Sequence, residues 1–466
     1  MMLRHIIKKE IQEILTSPKF LFTFLVCAVL ILLSVYAGVT NYRAEMREYA
    51  TSVALNEKNI AVLTSYNSLV QHTIRISKPP QVLGMIVNGI EEAVGRVAPV
   101  SPSTDPSLID SKYDSNPVFA VFGALDLMFI VKMVLSLFAI LFTYDAIVGE
   151  KEKGTLKLAL SNCVPRDQLI LGKAIGGYIC LLIPLLIPMM LSLIVMMIVP
   201  NIAFAGGDWI RLLLIFLMFF IYLSVFFSLG LFVSARTSRS STSFLILLFI
   251  WVAFVMVIPK VAVLGAAQIE PIPSIHEITA KKDAFLQQAQ VEIRESNIKW
   301  GREHSGDSNK DYEEKFRKYV EDSARDYAAK IDSFNASIEL DYQMKKNAQQ
   351  SLAVNLSRIS PASALSFGTM TLARTGVDES DRFLSSVRAY KREYTKWLIS
   401  KSSHAISFKP GETPKIDLKD MPKHRMEPER LGESLTRTLP DFALMIVMII
   451  VFFAGAYFSF RRYDVR

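Results

Sequence analysis

Cysteine is almost missing from this chain: there are three in 466 residues, Cys27, Cys163 and Cys180. None falls in the two long polar stretches, 39–124 and 265–438. No disulfide framework can therefore hold those stretches, and packed helices must do so instead. Histidine is sparse as well. His5, His72, His276, His304, His404 and His424 are scattered, no two stand at metal-ligand spacing, and no His–Cys cluster exists. That pattern gives no basis for a metal site. There is no Gly-x-Ser-x-Gly nucleophile elbow. The nearest approach to a phosphate-binding loop, Gly149-x4-Gly154-Thr155, lacks the lysine before the threonine, and no apolar strand leads into it. The chain is thus expected to hold no cofactor and to supply no catalytic residue. A cleavable signal is lacking too. The first apolar run is too long for one and no small-residue cleavage site follows it cleanly, so it should remain as an anchor.

What the chain does have is apolar length. Hydrophobic residues make up 51% of it, gathered in runs near the roughly 20 residues that cross a hydrocarbon core. Six runs reach that length: 20–38, 125–144, 174–199, 210–233, 244–264 and 442–460. The expectation is an all-α membrane protein with six transmembrane helices and two mainly helical extracytoplasmic insertions, 39–124 and 265–438. Lys132 interrupts the second run, and Pro259 and Lys260 stand near the end of the fifth.

Orientation follows from the short loops. Residues 1–19, 145–173, 235–243 and 461–466 lie on one side and carry fourteen Lys and Arg against seven Asp and Glu. Segment 39–124 has seven basic and eight acidic residues, and segment 265–438 has 28 and 26. The formal charge of +8 is therefore a property of one membrane face. It places both termini of a multi-pass protein in the cytoplasm; the expected setting is a bacterial cytoplasmic (inner) membrane. It is not the basic patch of a nucleic-acid binder.

Within 1–19, Leu3, Ile7, Ile11 and Ile14 share a helical face, with Lys8, Lys9, Glu10 and Glu13 elsewhere. This predicts an amphipathic helix on the inner surface, ended by Ser17-Pro18. Beyond the first span a polar helix is expected from 41 to about 75, then a short one carrying Leu83, Ile86, Val87 and Ile90, then a loop over Pro99–Pro117. In 265–438 the residues Phe316, Val320, Ala324, Tyr327, Ile331, Phe334 and Ile338 lie close to a heptad seam. Ile278, Phe285, Ala289 and Ile293 offer an antiparallel partner, which predicts a long helical hairpin turning at 301–309. A third stripe, Phe383, Val387, Tyr390, Tyr394 and Trp397, is expected to support that hairpin. Residues 401–438 read as an extended return.

The segment 145–173, pinned between two spans, is well placed to take a push from a cytoplasmic partner. It runs Tyr144-Asp145-Ala146-Ile147-Val148-Gly149-Glu150-Lys151-Glu152-Lys153-Gly154-Thr155-Leu156, then through Ser161-Asn162-Cys163-Val164-Pro165-Arg166 to Leu171-Gly172-Lys173. A Glu-rich stretch, Gly-Thr-Leu, a Pro-Arg pair and Leu-Gly-Lys in that order resemble the cytoplasmic loop of type-2 ABC exporter permeases. The stretches 356–365 and 372–376 resemble a branch with large extracytoplasmic inserts, related to permeases of copper-enzyme maturation systems. The resemblance implies a transport subunit that moves a substrate outward and is driven by a cytoplasmic ABC ATPase dimer, where ATP and Mg bind. It also implies a second permease copy, identical or a related paralogue, in the same lipid bilayer. An extracytoplasmic protein is a further candidate partner. By the same resemblance, Glu150, Glu152, Gly154, Thr155, Leu156 and Arg166 are the ATPase-coupling candidates, with a short helix expected over 150–160. Lys132, an intramembrane cation, is a candidate for the substrate path, against the alternatives of snorkelling or pairing with Asp126. Pro184 and Pro188 should kink the third span and are hinge candidates. A reading from another class is a membrane-anchored scaffold or force-transmitting protein whose outer helices bind extracytoplasmic partners. ATP-dependent substrate movement separates the two.

Overall fold

The computed structural model describes residues 2–63, 65–102, 105–111, 125–161, 165–200, 202, 204–304, 309–405 and 418–463. Cys163 and part of the Pro99–Pro117 loop lie outside them. The chain forms two units, Met1–Val257 with Ser360–Arg466, and Ile258–Ile359. Six helices are long and apolar enough to cross a membrane, and the only named sheet among the described residues has two strands. The protein is an all-α membrane protein.

In the first unit, helix α1 (Met2–Leu15) precedes α2 (Pro18–Val62). Ser17 caps α2, its Oγ accepting from Phe20 N at 3.2 Å, and Pro18 takes the first helical position, where its missing N–H costs nothing. The first span was expected to end near 38, with a separate helix from 41. Instead α2 runs unbroken for 45 residues. Gly38 does not interrupt it but lets another backbone approach: a Cβ there would stand 2.2 Å from the Met85 carbonyl oxygen.

The expected helix through residue 75 ends earlier. A short α3 (Tyr66–Gln71), capped by Ser65, gives way to strand β1 (Ile74–Ser77). Its alternating Ile74 and Ile76 suit a pleated ribbon, and it pairs antiparallel with β2 (Val97–Val100), Ile74 opposite Val100. The short helix expected over 83–90 is a single 3-10 turn, Val82–Met85, followed by α4 (Glu91–Val94).

The second span opens at Leu127–Phe129, capped by Asp126. It widens into a π-helical turn over Ile130–Leu135 and continues as α5 (Ser136–Thr143). Two short helices, α6 (Val148–Glu152) and α7 (Thr155–Ser161), lead to α8 (Arg166–Ile198), α9 (Gly206–Arg236) and α10 (Ser240–Val252). A second π turn, Ala253–Val257, follows α10.

The second unit contains α11 (Ile258–Ile269), α12 (Ile275–Glu303) and α13 (Asn309–Ser357). The last two form the antiparallel hairpin. Its seam is aromatic: Phe285 stacks on Phe334 with centroids 3.8 Å apart, and Trp300 meets Phe316 at 5.4 Å and Tyr319 at 5.2 Å. The seam residues are half-buried, and Ala324 is exposed, as two helices alone can cover only one side of each other.

The insertion 265–438 is not one domain, for its later helices belong to the first unit. Helix α14 (Pro361–Ala373) is capped by Ser360, whose hydroxyl accepts from Ala362 N at 3.1 Å and donates to the Phe254 carbonyl. Small residues along it bring it close to its neighbours. Ala362, Ala364 and Gly368 are buried beside α9 and α16 (Leu431–Arg461). Helix α15 (Val377–Ala405) belongs to the first unit and not to that of the hairpin. Its Phe383, Val387, Tyr390 and Tyr394 are buried with Leu69 of α3 and with Ile74 and Val100 of the β1–β2 ribbon. The extended return expected over 401–438 is confined: α15 reaches Ala405 and α16 begins at Leu431.

Replacing Phe334 with Ala should loosen the hairpin seam, removing a stacked pair worth about 0.5–1.5 kcal/mol beyond its buried area. Hydrogen exchange of the full-length protein should show faster exchange in both α12 and α13. Unchanged protection in both would mean the stack does not hold the seam.

Candidate functional site

The loop between the second and third spans is built from residues that each hold a different helix end. Gly154 sits at φ +73°, a conformation that L side chains rarely adopt. The expected single helix over 150–160 is therefore two, α6 and α7, with the turn at Lys153-Gly154 between them. Thr155 Oγ1 reaches back to the Glu150 carbonyl at 3.4 Å, and Leu156 is fully buried.

Three consecutive residues of α6 make the ties. Glu150 is paired with Lys173 of α8 at 2.8 Å. Lys173 is 4% exposed and also meets Glu10 of α1 at 3.2 Å. Burial raises the Glu10 carboxyl above its ordinary value, and the Lys173 ammonium opposes that rise. Lys151 Nζ donates to the Ala235 and Thr237 carbonyls at the end of α9 and stands 5.0 Å over the Tyr463 ring. Glu152 accepts from Ser240 N at 3.0 Å and from the Ser240 hydroxyl, so it caps the start of α10. Ser234 Oγ accepts from Ile147 N and Val148 N, both at 3.1 Å.

The flanks continue the pattern. Lys19 at the start of α2 pairs with Asp145 at 2.6 Å. Arg166 donates to the Arg461 and Tyr463 carbonyls, 3.1 Å for the latter, and so closes the end of α16. Tyr457 donates to Asp167 at 2.8 Å. Helix α1 does more than rest on a membrane surface. It packs on α8 through Gly172, Gly176 and Gly177, where a Cβ on Gly172 would stand 2.5 Å from Ile6 and one on Gly176 would stand 2.9 Å from Glu10. Small residues four apart permit such an approach.

Glu150, Glu152 and Arg166 thus reach toward helix ends, Glu152 from the exposed rim of the loop, while Leu156 is buried. The outward side of the loop carries Lys153, Gly154, Lys157 and Leu158, and Leu158 is 65% exposed. The arrangement offers a rigid charged platform with one apolar knob. Glu10, Lys151 and Ser234 were not singled out in the sequence reading. For Lys173 the signal was present in Leu171-Gly172-Lys173, and for Glu10 in the Gly172-x3-Gly176 spacing opposite it.

Lys132 lies inside the π turn of the second span. Its Nζ reaches Ser366 at 3.5 Å, while Asp126 accepts from Asn88 N and Phe129 N, at 2.8 and 2.7 Å. The π turn carries the Ser136 N–H to Val131, and the Lys132 carbonyl accepts instead from Tyr222 Oη at 2.9 Å and from Ser136 Oγ. Trp251 Nε1 donates to Ser136 Oγ at 2.8 Å. Pro184 and Pro188 are buried within α8, which runs unbroken through both.

Substituting Lys173 with Met should cost about 3–5 kcal/mol, because it leaves two partly buried carboxylates facing each other. Thermal unfolding of the detergent-purified protein should drop sharply for Lys173→Met and much less for Glu152→Gln at the exposed rim. Equal melting temperatures for Lys173→Met and the unaltered protein would remove the triad from the list of structural ties.

A stretch of 50 residues is 48% identical to the probable ABC transporter permease protein NosY of Pseudomonas aeruginosa (strain PAO1), covering 11% of this chain and 18% of that protein. The aligned part thus spans less than a fifth of that relative. The profile of the ABC-2 family transporter proteins matches residues 4–465, and with nearly the whole length so covered, the chain belongs to the ABC-2 transporter family.

Proposed function

We propose that this protein is the membrane-spanning permease subunit of an ABC exporter, with the loop face in the cytoplasm and a separate ATPase dimer docked on it. ATP and Mg bind in that partner, and a second permease copy completes the pathway through which substrate leaves the cell. Family membership supports the transport role. The observation that carries the coupling role is α6, where Glu150, Lys151 and Glu152 each hold a different helix. A push on this platform reaches the ends of the third, fourth and fifth spans at once. It also reaches α1 through Glu10. The docking contact is the outward side of the loop, with Leu158 as the apolar anchor and Lys153 and Lys157 beside it. Glu150 and Glu152 act as transmitters behind it. Lys132 and the two prolines of α8 are candidates for path and hinge.

Leu158→Asp should reduce recovery of the ATPase with the affinity-purified permease by tenfold or more, the scale of losing one buried apolar anchor, about 1.5–3 kcal/mol. The melting temperature of the permease alone should stay the same. Glu150→Lys should act differently, lowering stability first. If Leu158→Asp and Lys157→Glu both leave complex formation and ATP-driven transport intact, the ATPase does not dock here.

Orientation has its own test. In a version lacking Cys27, Cys163 and Cys180, a cysteine at exposed Ser337 should react with an impermeant thiol reagent on whole cells with a permeabilised outer envelope. One at Lys157 should react only after the membrane is opened. The reverse pattern would invert the topology.

A further inference from the structure

A cavity of about 740 Å³ opens between the ends of α9 and α16, apart from the outward side of the loop assigned above to the ATPase. Its cations come from three elements. Arg236 is the last residue of α9, Arg462 follows the last residue of α16, and Lys151 reaches in from α6. No carboxylate lines the cavity among the described residues. By contrast, the cavities along α2 and beside α15 mix carboxylates with their cations.

The three charges are open to a ligand. Lys151 places two of its three protons on the Ala235 and Thr237 carbonyls. Those bonds fix the ammonium without neutralising it. Arg236 and Arg462 are exposed, and neither guanidinium pairs with any group of the described residues. Cations suit helix C-termini in general, but that preference does not gather three of them, from three helices, around one space.

The cavity also lies at a definite depth. Val447, Val451 and Phe458 fall on one face of α16 at spacings of four and seven, and they are 58%, 59% and 59% exposed. Arg462 is the next residue on that face, four positions on. On α9 the same step leads from Phe232 to Arg236. Both helices are long and apolar enough to cross a membrane. Each therefore passes from apolar to cationic within about 6 Å, as a span does where hydrocarbon meets headgroups. Gly455 closes the space below, since a Cβ there would stand 2.8 Å from the Phe232 ring.

We propose that this cavity seats the phosphate headgroup of an anionic phospholipid, with its acyl chains along the Phe458–Val451 face. Guanidinium groups match phosphate oxygens in pairs. Basic pockets between spans at a membrane face take such headgroups, and the volume is ligand-sized. A seated headgroup ties the ends of α9 and α16 together and touches α6 through Lys151. Binding depends neither on the ATPase nor on transport, so it stands or falls apart from the exporter reading.

The test uses the full-length permease, purified in detergent and stripped of lipid, with bound lipid counted by native mass spectrometry. Phosphatidylglycerol should bind saturably and be retained over phosphatidylcholine. Inorganic phosphate at equal ionic strength should not displace it, because the acyl chains add to the contact. Arg236→Gln with Arg462→Gln, two exposed positions, should weaken retention of phosphatidylglycerol roughly tenfold or more at an unchanged melting temperature. Lys153→Gln with Lys157→Gln removes the same charge from the loop and should change retention less than about twofold. Equal retention of the two lipids, or equal losses in the two double variants, would overturn the proposal. Full displacement by inorganic phosphate would make this a site for a soluble anion and overturn it as well. So would unchanged lipid retention in the arginine variant with reduced recovery of the ATPase, which would mark an acidic protein segment as the occupant.

Discussion

One buried ammonium organises the face on which the chain begins and ends. Lys173 can stay in so dry a place only because Glu10 and Glu150 reach it from two directions. Desolvating one ion costs several kcal/mol, and only close opposite charges repay it. The three helices that supply the charges must therefore remain assembled. That requirement explains the glycines opposite Ile6 and Glu10, since α1 can deliver Glu10 only if its backbone approaches α8 closely. It also fixes α6, whose next two residues then fall on the ends of α9 and α10.

Inside the spans the same logic applies to backbone groups. A π turn displaces carbonyls from their helical partners, and in a hydrocarbon setting each needs a substitute donor. At Lys132 the substitutes are Tyr222 and Ser136, and Trp251 completes the chain of contacts. Three spans meet at a point where one of them is locally underwound. A π turn of this kind marks functional positions in many helices, and here it carries the charged residue as well.

The six spans were legible because apolar runs of this length have few other uses, and the hairpin because its aromatic seam keeps a near-heptad period over seven positions. What could not be read was where each helix stopped. Nothing in 38–46 is a strong breaker except Gly38, and there glycine serves a close contact with Met85. Residues 361–373 were placed outside the membrane unit because of their neighbours in sequence, yet their small side chains let them pack among the spans. The β ribbon was hidden in a short stretch, four residues per strand, too brief for alternation to outweigh the helical signal before it. In the loop, the motif did not show which way each residue faces. Facing inward or outward depends on the turn at Gly154 and on partners more than 80 positions away.

The unbroken length of α2 has a mechanical consequence. At 45 residues it is a rod of roughly 68 Å, about half of it beyond the apolar run. Its lower end is clamped by Lys19 on Asp145, beside the platform that holds the other helix ends. A tilt of about 10° at that end carries the far end through roughly 12 Å, by the 1.5 Å rise per residue. A displacement too small to disturb the packing near the loop is thus magnified many times over at the polar end of the helix. A lever needs no hinge along its length, and this one has none.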